Sequence, residues 1–438
     1  MKQNYSQSNS WPEMISETID SAKNDVRLGF RTGAVHLFGS FGIVQIFGFV
    51  VTLVLVRILT PEEIGHIRLI HSVLDFLIIL GDFGLAMALL KYVAEPIDQK
   101  LRKELLGQTF IGILGVSIIV SIVSFGLLFI PNLLSDNVAQ QSLKYLVWLI
   151  PFITVFGIVI HWHQGLKNIK RRAKYEFWQR LILMLATIGG ALWAGLNGYF
   201  IGYTVSLIGV TLLVIKTIPK EGLDLIIIKD LMAKLFRFGR YAVLTNQFQL
   251  IIITADVLML SILLKDPSAV GIYGVMALFI RGLWILPNAI MQTALPYLSE
   301  LSVNLQSIGG LYQKLIRKMF FLIFPICLAL FFLAPVIIPL LFGEQYREGV
   351  AVFQILLFSL LFFSLGTVNG TILTATANVK FNFYTAVIEA LINIVLNFFF
   401  IKTYGLIGAA AATSITFFVR FIINSIFTTR LLKSDKAP

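Results

Sequence analysis

Charge is scarce in this chain. Asp, Glu, Lys and Arg make up 13% of its 438 residues, while 57% are apolar. Soluble globular domains carry about 25% charged residues, so this composition excludes one and describes a membrane protein. Cysteine is almost absent: Cys327 stands alone in an apolar run, which rules out an intrachain disulfide. No G-x-x-x-x-G-K-[ST] phosphate loop is found, so the chain is not its own ATPase. H-E-x-x-H and a Ser-centred nucleophile elbow are also missing. So is the D-x-D with a large outer domain that a glycosyltransferase or polymerase would carry. No cofactor and no enzyme chemistry are expected. Residues 1–27 are polar and lack the apolar core of a signal peptide. Trp11, Ile15, Ile19 and Ala22 recur there at helical spacing, so a short interfacial helix and a disordered tail both fit.

Apolar runs, by contrast, are plentiful. Twelve spans can be drawn: 32–56, 64–92, 105–130, 143–165, 177–196, 198–216, 239–264, 270–296, 316–341, 350–373, 381–401 and 406–429. The net charge of +12 is dispersed among the loops, a pattern that membrane topology produces and that argues against nucleic acid. With the amino terminus in the cytoplasm, most basic residues fall inside, including the cluster Lys167 to Arg180. Only Arg57, Arg68, Lys144, Lys265, Arg347 and Lys402 remain outside, and Arg281 and Arg420 lie within spans. This bias predicts a multi-pass protein of the cytoplasmic membrane with both termini cytoplasmic. The expected order is a tail (1–27), an N-lobe of spans 1–6 (28–216), an inner linker (217–238), a C-lobe of spans 7–12 (239–430) and a second tail (431–438).

The stretch Arg57–Glu95 organises the rest. A Pro-Glu-Glu turn leads into some thirty helix-compatible residues that carry Arg68, His71, Asp75 and Asp82. At about 100° per residue these four form a stripe roughly 60° wide. Its pattern recurs in the second half. Pro61-Glu62-Glu63-Ile64-Gly65 matches Pro267-Ser268-Ala269-Val270-Gly271, and the same offset pairs Asp82 with Asn288 and Asp75 with Arg281. Gly165-Leu166-Lys167-Asn168 similarly answers Ala375-Thr376-Ala377-Asn378. Six spans per half, both halves starting inside, predict an all-α polytopic fold of two six-helix lobes. A parallel pseudo-two-fold relates the lobes, and the substrate site lies between them.

Further polar stripes mark the interior. Span 8 aligns Arg281, Asn288 and Gln292; span 7 aligns Thr245, Gln249 and Asp256. Span 11 lines up Thr385, Glu389, Asn393 and Asn397, and span 12 lines up Thr413, Thr416, Arg420 and Asn424. A charge at the bilayer centre costs about 2.5–3.5 kcal/mol, so these groups face each other or water. Two readings stay open: Asp75–Arg281 and Glu389–Arg420 as buried ion pairs that hold the bundle, or retained charge that serves transport. His161 and His163, in HWHQG, have no third ligand nearby and read as interfacial. Gly29, Gly33 and the run GLIGAAAA from Gly405 permit close helix packing.

The motifs VRILTPEEIGHIRLI with DFGLAMALLKYVAE, VGIYGVMALF with LPYLSEL, FGEQY, and LNFFFIKTYGLIGAAAATSI together resemble the polysaccharide (O-antigen type) flippases. These belong to the multidrug/oligosaccharidyl-lipid/polysaccharide (MOP) exporter superfamily, and the likeness runs from Gly29 to Phe427. It implies twelve helices around a cavity that opens alternately to each side. The implied cargo is an undecaprenyl-pyrophosphate-linked oligosaccharide repeat unit, with H⁺ or Na⁺ as coupling ion. A polysaccharide polymerase or glycosyltransferase complex is a possible partner. For such cargo Arg281 is the expected phosphate anchor. Arg31 and Arg57 are expected as contacts on the way in and out, and Asn288, Gln292 and Arg420 as further headgroup contacts. Asp75, Asp82, Asp256 and Glu389 are the ion-coupling candidates. A MATE-type drug/cation antiporter, a peptidoglycan-precursor flippase and a membrane scaffold of a polysaccharide synthase are the competing readings.

Overall fold

The computed structural model describes residues 47–217, 225–300 and 305–434. Arg31, Gly29, Gly33 and the Trp11–Ala22 stretch lie outside them. Among the described residues all regular structure is helical. Helix α1 (Phe47–Ile58) turns at Thr60 into α2 (Pro61–Asp82), and the turn explains the Pro-Glu-Glu motif. The Thr60 hydroxyl accepts from the Glu63 amide at 3.2 Å, while the Glu63 carboxylate accepts from the Thr60 amide at 2.9 Å. That is a capping box with Pro at the first helical position.

Span 2 is not one helix, as its periodicity predicts, but two. α2 stops where Phe83 and Gly84 both turn left-handed, at φ 48° and 70°, and α3 (Leu85–Ala94) restarts. The Asp82 carboxylate accepts from the Ala86 amide at 3.4 Å and caps the new start. A Cβ on Gly84 would stand 2.6 Å from the Gly239 carbonyl oxygen, so the break is held by a neighbouring helix. Span 8 is interrupted only by Trp284, which keeps helical dihedrals (φ −61°, ψ −16°), between α9 (Pro267–Leu283) and α10 (Ile285–Glu300). Trp284 stacks on Phe363 with ring centres 4.1 Å apart.

The remaining N-lobe helices are α4 (Gln99–Leu127), α5 (Asn137–Leu146), α6 (Ile150–Gly165) and α7 (Ile169–Ile215). α7 holds spans 5 and 6, which reverse at Gly195 (φ 58°, ψ −136°). In the C-lobe, α8 (Lys229–Leu264) is followed by α9 and α10, then α11 (Leu305–Phe342), α12 (Gly349–Ala375) and α13 (Val379–Ser434). α13 reverses at Gly405 (φ 56°, ψ −129°), the same turn at the matching place. The turns before α7 and α13 also agree. Lys167 and Ala377 both sit at φ 58°, and the Asn168 and Asn378 amides reach back to His163 and Leu373 at 2.8 and 2.7 Å. These turns and reversals show the two lobes to be repeats of one six-helix design.

α8 begins at Lys229, inside the stretch read as linker. Its sequence KDLMAKLFRF is amphipathic, with Leu235 buried and Met232 and Phe236 packed near Gly112. Elsewhere large apolar side chains face outward, among them Ile119, Leu185, Trp193 and Phe332. Such a surface belongs in lipid: this is a multi-pass membrane protein.

α2 lines the seam between the lobes. A Cβ on Gly65 would fall 1.8 Å from the Pro267 carbonyl oxygen, and one on Gly271 would fall 1.9 Å from that of Pro61. The contact is therefore reciprocal, made by the two segments that match in sequence. Ser135 adds a hydrogen bond to the Ser261 carbonyl at 2.7 Å, and Gln247 donates to Phe76 at 2.9 Å. Beside the Gly65 contact, buried His66 donates from Nδ1 to Asp136 at 2.5 Å. Burial raises the Asp136 pKa, but hydrogen bonds from His66 and the Ala139 amide outweigh it and hold the carboxyl below its ordinary value.

Candidate functional site

The α2 stripe faces inward, along two cavities. The first, of about 420 Å³, is lined by Arg68, His71 and Asp75 from α2, Thr52 from α1, Arg180 from the first arm of α7, and Tyr199 and Tyr203 from its second; Leu278 of α9 closes it. The second, of about 440 Å³, holds Asp82, His161, Arg172, Glu176, Arg180 and, from α8, Asn246. Arg180 is common to both walls.

In the Asp75 cavity the aromatic wall is ordered. His71 Nε2 and the Tyr199 hydroxyl are 2.8 Å apart, and Tyr199 stacks on Tyr203 with centroids 6.3 Å apart. Arg68 donates to the Thr52 hydroxyl at 3.3 Å and keeps a buried Nε without a partner. Its stem lies along α9, where a Cβ on Gly274 would meet Arg68 Cγ at 2.8 Å. Arg281 reaches the same region from α9, donating to the Ile253 carbonyl at 2.5 Å. Asp75 is exposed to the cavity and lies in the fields of Arg180 and Arg281. No ion pair joins it to either, so of the two readings left open by the sequence, an Asp75–Arg281 ion pair is not formed among the described residues. The arrangement offers separate cations, an open carboxylate and sugar-sized aromatic faces in one space.

The other candidates are placed elsewhere. Asp256 sits in the C-lobe interior, 3% exposed, and accepts from Tyr273 at 2.5 Å, Asn397 at 2.6 Å and Thr413 at 2.7 Å. Its lone pairs are occupied by α9 and both arms of α13, and it holds these helices together. Glu389 is ion-paired with Arg420 at 3.2 Å, the two coming from the two arms of α13. Its Oε2 makes no hydrogen bond. Arg57 donates to the carbonyls of Leu340 and Leu341, capping the end of α11. Asn288 and the exposed Gln292 lie on α10, and neither lines the Asp75 cavity. Thr245 and Gln249 have side chains outside the described set.

Arg180, Tyr199 and Tyr203 are absent from the sequence-derived candidates. Arg180 was assigned to the basic inner loop, yet α7 begins at Ile169, which lifts Arg180 by about 16 Å along the helix. The signal was the spacing: Arg172, Glu176 and Arg180 recur every fourth residue, as Tyr199 and Tyr203 do.

Replacement of Asp256 by Ala strands three buried donors. We expect it to lower stability by about 3–5 kcal/mol, seen as an earlier melt of the detergent-purified protein, with Asp256→Asn milder. An unchanged melt would show that the three hydrogen bonds do not carry this region.

Residues 54–351, which include Arg68, Asp75, Asp82 and Arg180, match a family model described as "Polysaccharide biosynthesis protein". The chain belongs to this family. The uncharacterized membrane protein MJ1375 of Methanocaldococcus jannaschii is 26% identical over 399 residues, covering 86% of this chain and 92% of that protein. The capsular polysaccharide biosynthesis protein CapF of Staphylococcus aureus is 35% identical over 168 residues, which covers 37% of this chain and 41% of CapF. Among solved structures, the lipid II flippase MurJ in its inward closed conformation superposes with a TM-score of 0.74 at 19% identity, covering 90% of this chain and 87% of MurJ. An inward-facing multidrug MATE transporter of the MOP superfamily gives 0.69 at 13% identity over 90% of this chain and 95% of that one. At these identities the likeness is one of fold, and it bears out the two-lobed, all-helical architecture, while the family model bears out the resemblance to polysaccharide-biosynthesis proteins drawn from the sequence.

Proposed function

We propose that this member of the polysaccharide biosynthesis family is an alternating-access flippase. In this reading it moves an undecaprenyl-pyrophosphate-linked oligosaccharide across the cytoplasmic membrane, with both termini in the cytoplasm. The observation that carries the reading is the Asp75 cavity. It joins Arg68 and Arg180 to a stacked tyrosine pair, with Arg281 of the opposite lobe near enough for its charge to act on Asp75. Each sugar hydroxyl costs kilocalories in hydrocarbon unless it is hydrogen-bonded, so unaided flipping is very slow. Tyr199, Tyr203, His71 and Thr187 supply replacement partners and flat apolar faces, while the lipid tail stays in the bilayer. The Arg68 and Arg281 guanidinium groups meet the pyrophosphate through forked hydrogen bonds, which lysine cannot reproduce. An anion held between α2 and α9 touches both lobes at once, and so can favour one lobe arrangement over the other.

Asp75 is the coupling group in this scheme. Exposed to the cavity and facing two arginines without pairing, it can exchange H⁺ or Na⁺ as the substrate arrives and leaves. Asp256, Glu389 and Asp82, engaged with hydrogen-bond or ion-pair partners or capping α3, support the frame around it. A polymerase or glycosyltransferase complex would act on the delivered repeat unit.

The test is a proteoliposome assay with a fluorescent lipid-linked oligosaccharide and a membrane-impermeant quencher. Wild type should raise the flipping rate at least tenfold over protein-free vesicles and respond to a H⁺ or Na⁺ gradient. Asp75→Asn should remove the gradient response. No acceleration by the wild type would overturn the proposal, and efflux of organic cations in its place would point to the antiporter reading.

A further inference from the structure

We propose that Arg180 is a second phosphate-binding station, separate from Arg68 and Arg281, at which the anionic headgroup rests while passing between the Asp82 and Asp75 cavities. The proposal rests on the flippase reading for its cargo, though not for the site itself.

Three observations converge on Arg180. It is the residue shared by the walls of the two cavities. It is exposed, although about three turns of helix separate it from the start of α7. Finally, among the described residues it makes no hydrogen bond or ion pair, whereas other arginines in the bundle are engaged. Arg172 holds Glu176 at 3.1 Å, Arg281 holds the Ile253 carbonyl, and Arg420 holds Glu389. An unpaired guanidinium inside a membrane domain needs either water or an anionic ligand to offset its desolvation.

The carboxylates around it give the reason for such a station. Asp82 lies on one cavity, beside the Arg172–Glu176 ion pair, and Asp75 on the other, so a pyrophosphate crossing between them meets two carboxylates that no ion pair among the described residues offsets. Coulomb repulsion would bar that path. Arg180 sits where the cavities meet, and Asp75 is in its field. It offers a forked pair of donors to the phosphate oxygens at the point of greatest repulsion, then releases them toward Arg68 and Arg281. Two weak sites in series also let the anion leave, which one tight site would prevent.

Inorganic pyrophosphate is the probe. Titrated into the detergent-purified full-length protein, it should raise the melting temperature of the wild type. Arg281→Ala and Arg180→Gln should each retain part of that rise, and the double variant, left with Arg68, the least; Arg180→Lys, which keeps the charge without the fork, should restore part of the Arg180→Gln loss. If Arg281→Ala alone removes the entire rise, or the double variant keeps it, Arg180 is no station. In proteoliposomes carrying a lipid-linked pyrophosphate with uncharged sugars, Arg180→Gln should raise the half-saturating substrate concentration about tenfold, with little change at saturation. An effect confined to acidic sugars would reassign the bound anion to the glycan and overturn the proposal. Pyrophosphate stabilisation without flipping by the wild type would sink the flippase reading and leave the station standing.

Discussion

Cells whose only copy of this protein carries Arg281→Ala should lose their surface polysaccharide while the variant still inserts and melts close to wild type. The side chain donates one hydrogen bond within the protein, to the Ile253 carbonyl, and its loss costs about 1 kcal/mol. In the proposed cycle the same guanidinium meets a doubly charged headgroup in a space poor in water. Loss of a charge-assisted hydrogen bond of about 1.5–3 kcal/mol lowers binding roughly 10- to 150-fold. Because α9 also faces the partner lobe, the anion would then engage α2 alone and lose its leverage on the lobe equilibrium. Transport should therefore fall by more than binding does. Arg281→Lys keeps the charge without the fork and should retain intermediate activity. The flipping rate in proteoliposomes and the amount of exported glycan both read the effect. Normal export by Arg281→Ala would remove Arg281 from the substrate path.

Gly271→Val should be nearly as damaging for a different reason. A Cβ at Gly271 would stand 1.9 Å from the Pro61 carbonyl oxygen, and one at Gly65 would stand 1.8 Å from that of Pro267. Those obstacles are backbone atoms, so no rotamer change relieves them, and α2 and α9 must separate. The packed state seen here would be lost while each lobe keeps its own core. We expect flipping to drop at least tenfold, because the alternation needs this contact to close as well as to open. A cysteine at position 64 reports the opening. Ile64 is 2% exposed, and Cys327, itself buried, is replaced by serine for the measurement. The Ile64→Cys protein should resist an impermeant maleimide, and adding Gly271→Val should make it react. Wild-type flipping together with an unreactive thiol would show that the lobes do not meet through these glycines.

The two variants also separate what is local in this chain from what is not. The capping box at Thr60–Glu63, the left-handed residues ahead of Asn168 and Asn378, and the reversals at Gly195 and Gly405 are short-range features. Each is written in a few neighbouring residues, so the repeat was legible in the sequence before any contact was known. Asp75 and Arg281 were legible as inward-facing groups because a charge on a lipid-facing side is too costly. Their partners were not. Glu389 and Arg420 pair between the two arms of α13, whereas Asp75 and Arg281, suggested by the same kind of reasoning, remain apart.

By itself, then, the sequence determined that the chain crosses the membrane many times, that its halves repeat one design, and that its charges turn inward. Hydrophobic periodicity and the cost of burying charge suffice for these, since each acts within a single helix. Tertiary structure decided the rest. It broke α2 at Phe83 and Gly84 against Gly239, placed Arg180 between two cavities rather than in a loop, and saturated Asp256 while leaving Asp75 open. Those outcomes depend on how neighbouring helices are rotated and how closely they approach. A helix's own periodicity carries no record of what stands opposite it.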